Sequence, residues 1–348
     1  MQKTFSLPKA FLQHLLQLSP NLLSLLYLPL QLFEASSSST VFIVLKNDIF
    51  RDFWKKTNKY EHNSKNSMSY AHPEVLVDTE WVSQNPPNEN RKLVEVDYDP
   101  VNGYEKGHIN GATLIWWKRD INDPVTRDII GKKQFEALMA KNGITADTEV
   151  ILYGDFNNWF AAFVFWVFKI YGHENLKIMN GGRKKWELEN KGYTTDEPQL
   201  SSTKYVAQPP DEGLRAYLFD VSRALDKEDT VMVDVRSPAE FTGQITAPPE
   251  YPMEHAQRGG HIPGANNIPW ASAVNDADGT FKTVEELRQN YEPKGVTPDK
   301  DVICYCRIGE RSSHSWFVLK YLLGYPKVRN YDGSWTEWGN MIGNPVEK

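Results

Sequence analysis

Residues 143–155 read GITADTEVILYGD and residues 295–307 read GVTPDKDVICYCR. Both open on Gly, an aliphatic residue and Thr, pass through acidic residues, and run into an apolar stretch. Two further pairs agree: GHINGATLIWW (107–117) with GHIPGANNIPW (260–270), and GGRKKW (181–186) with GSWTEW (333–338). The offset is 153 residues for the Gly-His-Ile pair and 152 for the other two. Three segments in one order at a nearly constant offset indicate a duplicated unit of about 130 residues. Pro, Ser and polar residues crowd 199–212, which predicts a linker between a first domain at 70–198 and a second at 213–346.

Each unit alternates strand and helix. TVMVDVR (230–236), ANNIPW (265–270), DVICY (301–305), KLVEVD (92–97) and EVILY (149–153) read as short strands. Apolar runs of this kind mark strands covered on both faces. Thr283 and Glu286 form a capping box for a helix through about Tyr291. Trp316, Leu319 and Leu323 recur at helical spacing between Arg311 and Gly324, and WFAAFVFWVFKIYG (159–172) is a very apolar helix. The expected fold class is α/β: two tandem domains, each a parallel sheet with helices on both faces. Ligands of such sheets sit beyond the carboxyl ends of the strands, which is where Cys306 falls.

With 40% hydrophobic and 24% charged residues, most of the chain is ordinary globular protein. The net charge of -6 excludes a nucleic-acid binder that relies on a general basic face. An anionic ligand would need a local positive cluster. The chain has only two Cys, and neighbours two apart rarely meet bridging geometry. That usage fits a reducing compartment, so the expected location is cytoplasmic. Residues 11–33 are Leu-rich, but Gln13, His14, Gln17, Pro20, Asn21 and Pro29 interrupt them, and a membrane span needs a longer run. Lys3 and Lys9 give a weak signal-peptide flavour without a clear cleavage site before SSSST at 36–40. Residues 1–67 are therefore read as a disordered or non-native extension, with Met68 a sensible first residue and no membrane partner expected.

The chemistry concentrates in CYCRIGERSS (304–313). Cys304 lies inside an apolar strand and reads as packing. Cys306 follows the strand end and precedes a helix, where backbone N–H groups and the helix dipole favour a thiolate. Arg307 and Arg311 lie within the same turn; they would lower the thiol's pKa further and bind an oxyanion. Their bland alternative is a salt bridge with Glu310 or a solvated surface. A cysteine followed by a loop and an Arg also suggests a phosphatase. Here the loop between Cys306 and Arg311 is one residue shorter than in cysteine phosphatases, which suits sulfur better than a phosphoryl group. A cysteine hydrolase would need His314, His261 or His255 as base, but His108 repeats His261 in the half without Cys306, which points to structure. No metal is expected, since two Cys without clustered His fall short of a zinc site.

These segments resemble the rhodanese family, in particular its two-domain bacterial-type thiosulfate sulfurtransferases. The resemblance rests on VDVRSPAEF (233–241), GHIPGA (260–265), CRIGERS (306–312) and NYDGSWTEWG (330–339), echoed by YEKGHINGA (104–112), ILYGDFNNWFAA (151–162) and NGGRKKWE (180–187). It implies tandem rhodanese-like domains and no cofactor. It also implies a Cys306 persulfide that carries the outer sulfur of thiosulfate to cyanide or a thiol, with release of sulfite. Arg307, Arg311 and Arg236 would bind the donor, Ile308, Gly309 and Glu310 would form the loop, and Asp234 and Glu240 would support it; Arg236, at the end of the neighbouring strand, would otherwise brace the loop with Asp234, and Glu240 would pair with one of the arginines. Mercaptopyruvate-specific relatives carry a less positive loop, so that donor stands as the alternative, as does a persulfide carrier without turnover. In the first half Gly154 stands in place of Cys306 and Trp159 in place of Arg311. That half is expected to be non-catalytic and to lend aromatic surface, from Trp116, Trp117 or Asn157–Trp159, to one wall of the cleft.

Overall fold

The computed structural model describes residues 69–247 and 255–348, together with three short strands as backbone: β1 (Thr4–Pro8), β2 (Gln31–Phe33) and β3 (Thr40–Val44), antiparallel in the order β1-β3-β2. The rest of 1–67, where a disordered or non-native extension was expected, lies outside the described residues. Among the described residues no helix is long and apolar enough to cross a membrane.

Two parallel sheets follow. The first holds β4 (Leu76–Val77), β5 (Arg91–Asp97), β6 (Thr113–Trp116), β7 (Glu149–Gly154) and β8 (Leu176–Met179), in the order β4-β8-β7-β5-β6. The second holds β9 (Thr230–Asp234), β10 (Asn266–Asn267), β11 (Asp301–Tyr305) and β12 (Val328–Tyr331), in the order β10-β9-β11-β12. The shared order β8-β7-β5-β6 and β12-β11-β9-β10 is the duplication in three dimensions. Strands β7 and β11 are central and buried on both faces. Val150 and Leu152 of β7, and Val302 and Cys304 of β11, point into one core that runs through both halves. Ile151 and Tyr153, and Ile303 and Tyr305, point into separate outer cores. Period-two alternation carries Cys306 to the same side as Cys304, toward the shared core.

Two expectations need correction. ANNIPW yields only the two-residue β10; Pro269 has no N–H for a ladder, and a short turn starts at Trp270. The helix expected from Arg311 to Leu323 is α-helical only over Glu310–Phe317 and widens to a π-turn over Val318–Leu322. Gly324, at φ +74°, ends it. The Thr283 box is present, with Thr283 N–H donating to Glu286 Oε2 at 3.0 Å.

Helix Trp159–Ile170 has every residue buried because it is covered on both sides. Its own sheet lies on one side and the Glu310–Phe317 helix of the other half on the other. Phe165 sits at this seam, with ring centroids 4.9 Å from Phe317 and 5.1 Å from Tyr321. Phe165→Ala should lower unfolding free energy by about 3–5 kcal/mol. Chemical denaturation checks this; a loss under about 1 kcal/mol would mean the seam is not what joins the halves.

Candidate active site

The turn after β11 is shaped by Gly309. It has φ +95°, and a Cβ there would stand 2.6 Å from Cβ of Asp332, so only glycine fits. This lets the chain reverse into the Glu310–Phe317 helix and aims the Gly309 N–H at Cys306 Sγ, 3.2 Å away. Ser312 Oγ lies 3.6 Å from the same sulfur. Behind the turn, Ser334 Oγ accepts from Cys306 N–H at 3.0 Å. The Gly309 carbonyl accepts from Ser313 Oγ at 2.7 Å and Asn330 Nδ2 at 3.1 Å, and Ser312 Oγ donates to Asn330 Oδ1 at 2.6 Å. Asn330 and Ser334 thus fix the loop. Neither is legible in the sequence, since an isolated Asn and Ser carry no spacing signal.

The arginines divide. Arg311 is gripped by both oxygens of Glu240, each at 2.9 Å. Burial works against the Glu240 carboxylate, but the Arg311 hydrogen bonds and charge outweigh it and hold the group at about 2. Glu240 is itself placed by its capping box with Ser237. Arg236, expected at the donor, is fully buried elsewhere. It pairs with Asp234, donates to the Gly260 carbonyl at 2.8 Å, and lies 4.7 Å over the Trp335 ring. Asp234 and Arg236 therefore brace the Gly-His-Ile turn. The first half does the same with Arg183, which pairs with Glu95 and donates to the Gly107 carbonyl at 2.9 Å. Of the three arginines expected at the donor, Arg307 alone lines the cleft, beside Arg127 and Arg215, with Nη2 3.6 Å from Glu310 Oε1; Cys306 lies behind it and is not part of the lining. The cleft has a volume of about 650 Å³ and lies between the halves, with Tyr98, Trp117 and Phe163 on one wall and Arg307 and Ile308 on the other.

The thiol departs from expectation. Burial pushes Cys306 up, the Glu310 carboxylate adds to this, and Arg311 and Ser312 pull the other way without reversing it. The expected lowering by two arginines fails here because Arg311 is neutralised by Glu240 and the sulfur is sealed from water. Burial also raises Cys304 far above the ordinary thiol. His314, a candidate base, is fully enclosed between Trp270 and Phe281, and burial depresses it to about 3. His261 and His108 stack on Phe241 and Tyr104 and bond to the carbonyls of the same residues. His255 is exposed. Among the described residues no group of three metal-ligating side chains occurs.

The first half has a different loop. A Cβ on Gly154 would collide with the Val96 carbonyl, so no cysteine fits. Phe156, Asn157 and Asn158 all adopt positive φ, and Asn158 Oδ1 takes the Gly154 N–H at 3.0 Å. Trp159 stacks on Phe156 and meets Trp270 edge-on at 5.0 Å.

A model of the Rhodanese-like domain matches residues 78–189 and again 220–341. The chain is 55% identical to "Sulfur carrier protein TtuD" of Thermus thermophilus, over 81% of this chain and 99% of that one. It is 51% identical to a "Putative thiosulfate sulfurtransferase" of Saccharopolyspora erythraea, over 79% and 96%. The anaerobic ergothioneine biosynthesis enzyme of Chlorobium limicola, solved with trimethyl histidine, superposes at TM-score 0.71 and 27% identity, covering 80% of this chain and 71% of that one.

A raised thiol stays protonated at neutral pH in the ligand-free protein. Iodoacetamide should therefore modify Cys306 slowly at about pH 7, with the rate still rising past about pH 9. A plateau reached below about pH 7 would show that the arginines outweigh burial.

Proposed function

The chain belongs to the rhodanese family, and from that premise we propose that it is a thiosulfate sulfurtransferase working through a Cys306 persulfide. The observation that carries this reading is the Gly309 N–H aimed at Cys306 Sγ from 3.2 Å at a strand-to-helix turn, with the backbone of Ser312 also bonding to the sulfur. A sulfur anion at that position is stabilised by donors already in place. At the matching position of the first half, Gly154, the Val96 carbonyl leaves no room for a side chain.

In the first step the Cys306 thiolate attacks the outer sulfur of thiosulfate. The S–S bond of the donor breaks, sulfite leaves with its electron pair, and the persulfide anion remains. Arg307, on the cleft side of the loop, holds the sulfonate end. Arg311 acts through the Glu240 pair, which ties the loop helix to the Pro238–Phe241 turn, and not by direct contact with the donor. In the second step cyanide or a thiol takes the sulfane sulfur. The positive charge of Arg307 favours a dianionic donor over 3-mercaptopyruvate. A sulfur-carrier role is the second reading, favoured by the name of the Thermus relative. It differs only in a persulfide that cyanide fails to discharge.

Cys306→Ser should abolish thiocyanate production from thiosulfate and cyanide, while Cys304→Ser should leave most of it. Arg307→Ala should raise KM for thiosulfate about 10- to 100-fold, the range of a lost charged hydrogen bond. Steady-state assay of kcat/KM with both donors checks this. A clear preference for 3-mercaptopyruvate, or activity surviving Cys306→Ser, would overturn the reading.

A further inference from the structure

Arg215 stands where the second half begins. Its backbone forms a parallel bridge with Asn330 of β12, and the next residue, Ala216, donates its N–H to the Asn330 carbonyl at 2.9 Å. The Arg215 side chain forks onto Asp332, Nε donating to Oδ1 at 2.8 Å and Nη2 to Oδ2 at 2.7 Å. Nη2 also donates to Asp128 Oδ1 of the first half at 2.6 Å. A planar fork of this kind fixes direction as well as distance. Burial pushes the Asp332 carboxyl up, and Arg215 pulls hardest the other way.

Both residues that Arg215 holds lie against Gly309. A Cβ on Gly309 would stand 2.6 Å from Cβ and 2.7 Å from Cα of Asp332. Asn330 Nδ2 donates to the Gly309 carbonyl at 3.1 Å. A glycine has no side chain to anchor it, so its backbone direction depends on what packs against it. That direction is what aims the Gly309 N–H at Cys306 Sγ from 3.2 Å. Arg215 therefore reaches the sulfur only through these two neighbours.

We propose that Arg215 is a positioning residue for sulfur transfer: through Asp332 and Asn330 it keeps the Gly309 N–H on the Cys306 sulfur. The proposal rests on the persulfide chemistry above. It gives two arginines of the cleft different tasks. Arg307 binds the donor. Arg215, whose Nε and Nη2 are committed to Asp332 and Asp128, holds the loop that stabilises the sulfur anion. Loss of the fork slows the chemical step and leaves donor binding nearly as it was. A lysine keeps the charge but has no fork, so it restores little.

The test mixes each protein rapidly with excess thiosulfate, without acceptor, and follows sulfite release across thiosulfate concentrations. In Arg215→Gln the plateau rate should fall about 10- to 100-fold, the scale of a displaced anion-stabilising donor, while the half-saturating concentration stays within about threefold of wild type. Arg215→Lys should fall nearly as far. Asp332→Asn, which keeps the shape beneath Gly309, should fall in the same way, and adding it to Arg215→Gln should cost no more than the worse single change. A folding defect would lower the amount of sulfite released per protein and not the rate. If Arg215→Gln does not fold, Arg215→Lys and Asp332→Asn carry the same test. An unchanged plateau rate overturns the proposal, and so does full recovery by lysine. A raised half-saturating concentration at full plateau rate also overturns it, because Arg215 would then be a donor ligand. A wild type that releases no sulfite overturns the sulfurtransferase reading itself, which separates that failure from this one.

Discussion

The site depends on a helix with no exposed face. All eight residues of Glu310–Phe317 are buried, six of them polar, because the first half's Trp159–Ile170 helix covers what the second half's own sheet does not. Enclosure sets the terms for every polar group inside. Breaking a buried ion pair leaves a charge that costs about 3–5 kcal/mol, so the arginines come with carboxylates: Arg311 with Glu240, Arg236 with Asp234, Arg307 beside Glu310. His314 meets the same demand by remaining uncharged. The cysteine has no such escape, and its thiol is pushed up in the ligand-free state. The loop then stabilises the anion with the backbone N–H groups of Gly309 and Ser312.

The two halves keep a common frame and differ where the chemistry lies. Tyr153 and Tyr305, each immediately before the loop, accept the N–H of Ile109 and Ile262 at 3.0 and 3.1 Å. A buried arginine caps the carbonyl of Gly107 or Gly260 in each half. These repeated contacts belong to the fold. The cysteine, its Gly309 turn and the Glu240–Arg311 pair occur on one side alone and belong to the site. The first half contributes cover and a cleft wall instead, through Trp117, Tyr98 and Phe163.

Much of the frame was legible because it is written twice. Repetition showed the alternation of strands and helices, and Cys306 stood out by its place between an apolar run and a helix. What was hidden depends on long-range geometry. Glu240 was expected to brace the loop, but its choice of Arg311, 71 residues away, over Arg307 is a matter of packing. Arg236 looked like a ligand residue because it ends a strand beside the site; its side chain turns instead to Gly260 and Trp335. The thiol's direction was misjudged since nearby cations are visible in a sequence and burial is not. Asn330 and Ser334 escaped for want of any motif, although they hold the loop in place.

The central claim is that Cys306 takes up sulfur, and tandem mass spectrometry of the thiosulfate-treated protein tests it most directly. Trypsin releases Asp301–Arg307 with both cysteines, and fragmentation between them assigns the adduct. The account predicts a gain of about 32 Da, one sulfur, on Cys306 and its loss on treatment with cyanide. An adduct on Cys304, or none on either cysteine, would contradict it.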